Sequence, residues 1–237
     1  QVHTTRRYGR GLQYGIAWTW SKTMDFNDTD TSAAVSPIVP VRVWDYGMAS
    51  FDRTHIFKAN FLWDVPRIRG LWRPARPILN GWQVSGIISF VSGAPTSVSY
   101  SLVSGGDITG TASQSARIVV TGNPVLPKSE RSFSYNFRTD VFQPPAKGTF
   151  GNAAKNYLRG PGINNWDLSF LKNIPFGDPR RLQFRIEMYN AFNHTQFSAF
   201  DTAARFDATG KQINTALSQF TAARQPRTMQ ASVRFYF

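Results

Sequence analysis

The side chains that could carry chemistry are few and scattered along the 237 residues. His3, His55 and His194 lie far apart with no metal-ligand spacing, and the only glutamates are Glu130 and Glu187. With no cysteine, thiolate catalysis, Cys-bound zinc and iron–sulfur clusters are excluded. Gly105-Gly106 and Gly160-Pro161-Gly162 lack the lysine, hydroxyl and strand-to-helix setting of a phosphate loop, and read as loop punctuation. Asp25, Asn27, Asp28 and Asp30 gather oxygen ligands that Ca²⁺ would accept, but without the glycine of a calcium-hand loop; a solvated acidic loop is the preferred reading. His194, just beyond a strand end, reads as a hydrogen-bonded loop histidine. The expectation is a chain that is no enzyme and holds no metal or cofactor.

The net charge of +13 raises nucleic acid, anionic lipid or a polyanionic sugar as partners. The basic residues are spread over many segments with no recognition module to gather them, so nucleic acid is not expected. Arg67, Arg69, Arg73 and Arg76 do cluster, beside Trp72, and suit phospholipid headgroups. Apolar content of 41%, with 14% aromatic, speaks against disorder. No run reaches the roughly 18 apolar residues of a membrane-crossing helix, which leaves a membrane β-barrel open. The chain begins at Gln1 without a signal peptide, so either one was removed or the sequence is part of a longer protein.

The elements that must position these groups are strands, because the dominant pattern is strict alternation. Leu12, Tyr14, Ile16, Trp18 and Trp20 share one face against Gln13, Gly15, Ala17, Thr19 and Ser21. Phe57, Ala59, Phe61, Trp63 and Val65 alternate with Lys58, Asn60, Leu62 and Asp64. Similar runs cover Trp82–Phe90, Trp166–Phe170, Leu182–Tyr189 and Gln230–Phe237, and a weaker one Val2–Tyr8, making about seven strands. A further strand at Ala116–Thr121 would change that parity. The links between strands take turns in length: Gly9-Arg10-Gly11 is tight, about 22–54 long, Pro66–Asn80 moderate, about 93–162 very long, Ile174–Arg181 short, and about 193–227 long. Alternating short and long links are the pattern of outer-membrane barrels, with short periplasmic turns and long outer loops. A soluble β-sandwich would also alternate, but the apolar face here is loaded with Trp, Tyr and Phe near strand ends, as in interfacial girdles.

Lys58, Asn60, Asp64, Arg185, Glu187 and Arg234 then fall on the opposite face, which suits a hydrated or plugged lumen. Glu187 and Arg234 would pair across the wall if their strands neighbour one another. The fold expected is all-β, an antiparallel up-and-down segment of a larger transmembrane barrel filling residues 1–237.

Several stretches resemble the C-terminal barrel of TonB-dependent receptors, particularly the Oar-like branch with a carboxypeptidase-regulatory-like N-terminal domain. They are Gly11-Leu12-Gln13-Tyr14 continuing to Trp20-Ser21-Lys22, Phe51-Asp52-Arg53-Thr54-His55, Asn80-Gly81-Trp82-Gln83-Val84-Ser85-Gly86, Gly151-Asn152 with Leu158-Arg159-Gly160-Pro161-Gly162, and Arg185-Ile186-Glu187-Met188-Tyr189-Asn190-Ala191-Phe192-Asn193-His194. The resemblance implies about 22 strands around a plug, of which these would be the last third, in the outer membrane of a Gram-negative bacterium. It also implies coupling to the TonB complex through a plug-bearing N-terminal region, and uptake of a small solute such as a siderophore, cobalamin, oligosaccharide or peptide. Val233, Phe235 and Phe237 resemble the terminal signal read by the barrel assembly machinery. The other expected partners are outer-membrane lipid and lipopolysaccharide. The alternatives are an adhesive or structural barrel without TonB coupling and a soluble β-sandwich binding module.

Overall fold

Alternation gives each strand one apolar and one polar face, and neighbouring strands pair in the register that brings like faces together. The computed structural model, which describes residues 1–28 and 38–237, shows this outcome. One antiparallel sheet runs in chain order through β1 (Val2–Gly9), β2 (Leu12–Trp20), β3 (His55–Asp64), β4 (Trp82–Val91), β5 (Ile163–Pro175), β6 (Arg181–Tyr189) and β7 (Thr228–Tyr236). Its seven strands are the wall. The segment around Ala116–Thr121 stays out of it: Val119–Val120 pairs with Phe142–Gln143 in a separate small ladder. The wall is a single layer, whereas a sandwich needs two facing sheets.

Register keeps the faces consistent. Ile16 lies opposite Ala59, Ala59 opposite Ile88, and Ile88 opposite Trp166. Beyond these, Phe170 meets Ile186 and Ile186 meets Ala231. A slip of one residue in β3 would carry Lys58, Asn60 and Asp64 onto the apolar face, so the pattern strongly specifies the register. The first hairpin closes on Arg10 and Gly11, both at positive φ (52° and 79°), the conformation that matches a two-residue turn to strand twist.

Three connections, 21–54, 92–162 and 190–227, leave one rim, and the turns 10–11, 65–81 and 176–180 leave the other. Aromatic rings mark the long-loop rim on the apolar face. Phe57 contacts Phe90 at 5.7 Å between ring centroids, Phe90 contacts Trp166 at 5.8 Å, and Trp166 contacts Phe192 at 5.5 Å. The core lies elsewhere. Among the described residues the buried apolar cluster is built from Val98, Ile118, Phe137, Val141, Phe142 and Leu158 of the second long loop with Ala204, Phe206 and Leu217 of the third.

Candidate functional site

The second and third loops are joined by a short parallel ladder, Ser99–Leu102 against Ala203–Phe206. Parallel pairing needs a long crossover connection, and here the two segments lie roughly a hundred residues apart. Phe137 packs edge-on against Phe142 and Phe200, at 5.9 and 5.4 Å. Beside it, the fully buried Ser218 Oγ accepts from the backbone N–H of Asn136 (2.7 Å) and Phe137 (2.8 Å) and donates to the Phe137 carbonyl (3.1 Å). A buried hydroxyl with all its capacity used is a specific seam rather than an exposed loop contact.

Salt bridges tie the first loop to the second. Asp52, whose side chain is 0% exposed, receives Arg159 Nη2 at 2.5 Å and the Thr23 N–H at 2.7 Å. Burial pushes this carboxyl up, but the Thr23 hydrogen bond and the Arg159 guanidinium outweigh it and hold the group below the usual carboxylate range. Lys155 Nζ meets Asp25 Oδ1 at 2.6 Å and Asp28 Oδ1 at 3.4 Å. The acidic run considered for Ca²⁺ therefore faces an ammonium; its fourth member, Asp30, lies outside the described residues. Arg117 stacks over Trp44 at 4.3 Å, donates to its carbonyl at 2.6 Å and reaches Asp45 at 3.7 Å. At the loop's exit a Cβ on Gly93 would collide with the Gly160 carbonyl, so this crossing requires glycine.

These contacts give physical content to the stretches that carried the resemblance. Phe51-Asp52-Arg53-Thr54-His55 and Leu158-Arg159-Gly160-Pro161-Gly162 are the two halves of one latch, Asp52 with Arg159. In Gly151-Asn152, the Asn152 carboxamide accepts from the Val120 N–H at 2.7 Å and donates to its carbonyl at 3.0 Å, as a neighbouring strand would. Asn190 caps the end of β6, exchanging hydrogen bonds with the His194 backbone at 3.0 and 3.2 Å, while the His194 ring stacks on Phe192 at 5.8 Å. None of these partnerships was legible as a pair in the sequence.

The six polar-face residues singled out from the alternation do share one face, but they do not converge. Lys58 lies opposite Ala17 and Ser89, and Asn60 opposite Gly15 and Ile87. Asp64 accepts from Gln83 Nε2 at 2.6 Å and from the Tyr8 hydroxyl near the short-turn rim. Glu187 pairs along its own strand with Arg185 at 3.5 Å and accepts from Gln230, directly across on β7. The expected Glu187–Arg234 pair is corrected by this register: Arg234 lies opposite Gln183, four residues nearer the short-turn rim. Val233 and Phe235 lie opposite Phe184 and Leu182 on the apolar face of β7, and Phe235 and Phe237 stack at 6.2 Å.

Where the third loop meets the polar face, Lys58, Asn165, Asp167, Tyr189, Gln196 and Arg224 line a hollow of about 370 Å³. Gln196 fixes its floor, donating to Asn165 Oδ1 at 3.0 Å while its carbonyl oxygen accepts from the Asn164 N–H at 3.2 Å. Both cations, the carboxylate and the phenol suit a polar, hydrogen-bonding solute better than an apolar one.

A single-layered antiparallel wall, apolar and aromatic on one side and polar on the other, with folded long loops at one rim, defines the class of membrane β-barrel walls. The chain matches the family described as outer membrane beta barrel domain over residues 1–230, and it belongs to that family. No curated protein and no solved structure matches it.

Proposed function

We propose that this chain is wall and outer loops of a TonB-dependent transporter that takes up a scarce nutrient across the outer membrane of a Gram-negative bacterium. In this reading the apolar face meets lipid, while Lys58, Asn60, Asp64, Arg185, Glu187 and Arg234 face a lumen holding water or a plug. The short-turn rim is periplasmic, and Val233, Phe235 and Phe237 present the assembly signal. The observation that carries the reading is the folded loop assembly set over a polar hollow at one rim: a wall with only a structural duty has no need of a built mouth there. Two further points support it. The edges β1 and β7 have no strand partner on their outer sides among the described residues, and unpaired backbone cannot face lipid, so closure calls for more strands. The stretches resembling TonB-dependent receptors include both halves of the Asp52–Arg159 latch.

The test is uptake of labelled siderophores, cobalamin, oligosaccharides and peptides by cells with and without the intact gene, each with and without a working TonB complex. One solute class should depend on both. Uptake that needs the gene but proceeds without TonB would overturn the coupling, and no solute depending on the gene would favour the adhesive or structural barrel.

A further inference from the structure

The turn 65–81 between β3 and β4 carries Arg67, Arg69, Arg73 and Arg76 and no carboxylate. It is folded rather than slack. Arg76 Nε donates to the Leu71 carbonyl at 3.0 Å, and the Asn80 carboxamide accepts from the Ile68 N–H at 2.7 Å and donates to its carbonyl at 3.3 Å. What aims the turn is Lys172. By register this lysine sits on the apolar face of β5, between Trp82 and Phe184. Its ammonium donates to the Ile78 carbonyl at 2.9 Å and to the Asn80 carbonyl, and lies 5.0 Å over the Trp82 ring. Trp82 Nε1 also donates to the Ile78 carbonyl, at 2.9 Å. Together these bonds draw the helical turn Arg76–Leu79 toward the apolar side of the wall.

The outcome is a surface of two chemistries. Trp72 is 77% exposed and Ile78 66%, with Ile68 and Leu79 exposed beside them, continuous with the apolar wall at Trp82. Arg67, Arg69 and Arg73 make no hydrogen bond or ion pair among the described residues, so three guanidinium groups are free to bind. We propose that this turn is a binding site for anionic phospholipid headgroups, with Trp72, Ile78 and Leu79 set at the level of the upper acyl chains and Arg67, Arg69 and Arg73 around the phosphate. Guanidinium forks match phosphate oxygens two at a time. An amphiphile accounts for both halves of the surface, whereas a free anion leaves the exposed Trp72 and Ile78 in water.

The inference rests on the reading that the apolar face meets lipid, and the test separates the two. The full protein carrying this barrel is reconstituted in phosphatidylcholine vesicles containing brominated phosphatidylglycerol or brominated phosphatidylcholine. Quenching at Trp72 is taken as the difference from Trp72→Phe. Phosphatidylglycerol should be preferred by about fivefold or more, and the preference should fall toward unity in Arg67→Gln/Arg69→Gln/Arg73→Gln. Arg76 is left in place because it supports the turn. Equal quenching by the two lipids, or none at Trp72, in inserted protein would overturn the site alone. Loss of the preference on adding millimolar inorganic phosphate would assign the arginines to a free anion instead. Failure of the unaltered protein to insert, seen as no heat-dependent gel shift, would overturn the lipid-facing reading and this site with it.

Discussion

The wall and the loop assembly solve the burial of apolar surface in opposite ways. Of the apolar side chains buried among the described residues, Leu171 alone belongs to a wall strand; the rest, Phe137, Phe206 and Ile118 among them, lie in the connections. The wall has one layer and borrows its second from the membrane, while the loops stand in water and must supply both sides of their own core. A strand of the wall therefore tolerates aromatic bulk that nothing in the chain covers, and a loop residue such as Phe206 must be enclosed completely. The difference teaches that the second and third long links carry a buried core of their own.

The sharpest way to break this comparison is to empty the loop core. Phe206→Ala or Phe137→Ala should cost the loop assembly about 3–5 kcal/mol, seen as rapid hydrogen exchange and proteolysis across 97–142 and 197–221. The wall should keep its heat-dependent gel mobility. If the wall is lost as well, the two regions fold as one cooperative unit. Next in size is the wall itself: Ile16→Arg, at mid-strand on the apolar face, should cost about 2–4 kcal/mol of insertion free energy, against little for Gln13→Arg on the polar face. Equal tolerance in a folding titration into vesicles would reverse the assignment of faces.

The latch between the first two loops comes third. Asp52→Asn leaves Arg159 without its charge partner and should loosen the contact between Thr23, Asp52 and Arg159 by about 1–3 kcal/mol, measured by exchange of the Thr23 amide. The sign of its pH dependence follows from the depressed pKa of Asp52. The contribution is fully present above the unfolded carboxylate value of about 3.9, and is lost as pH falls through the lower folded value. Protection of Thr23 should thus hold at pH 5 and fade only below about 4, and Asp52→Asn should remove that dependence. Fading already between pH 5 and 6 would show that another group controls the latch.

Period two made the wall legible in the sequence. All the alternating runs became wall strands, because a face exposed to one solvent along its whole length leaves a regular imprint on composition. Loops leave no such imprint. The ladder Ser99–Leu102 with Ala203–Phe206 joins segments roughly a hundred residues apart, and the node at Ser218 joins residues 82 apart, each meeting a unique neighbour. No periodicity encodes such meetings. The stretches around Asp52 and Arg159 stood out only by resemblance, and their partnership needed coordinates. Lys172 was missed because a lone lysine at an apolar position reads as a break in the pattern, when its ammonium is satisfied by carbonyls of the turn beyond the strand end.

The smallest predicted effect is the one that reports on what fills the polar face. Arg185 and Glu187 sit two residues apart on β6, with side chains 37% and 26% exposed. Facing water, such a pair should couple by less than about 1 kcal/mol, because both ions keep most of their hydration. Packed under a plug, the same pair would lose that hydration, and removing one partner would leave the other charge stranded at a cost of about 3–5 kcal/mol. A double-mutant cycle with Arg185→Gln and Glu187→Gln, read by urea unfolding of the vesicle-inserted protein, distinguishes the two. A small coupling places open water beside β6, and a coupling of several kcal/mol means that the face at Glu187 and Gln230 is covered in the intact protein.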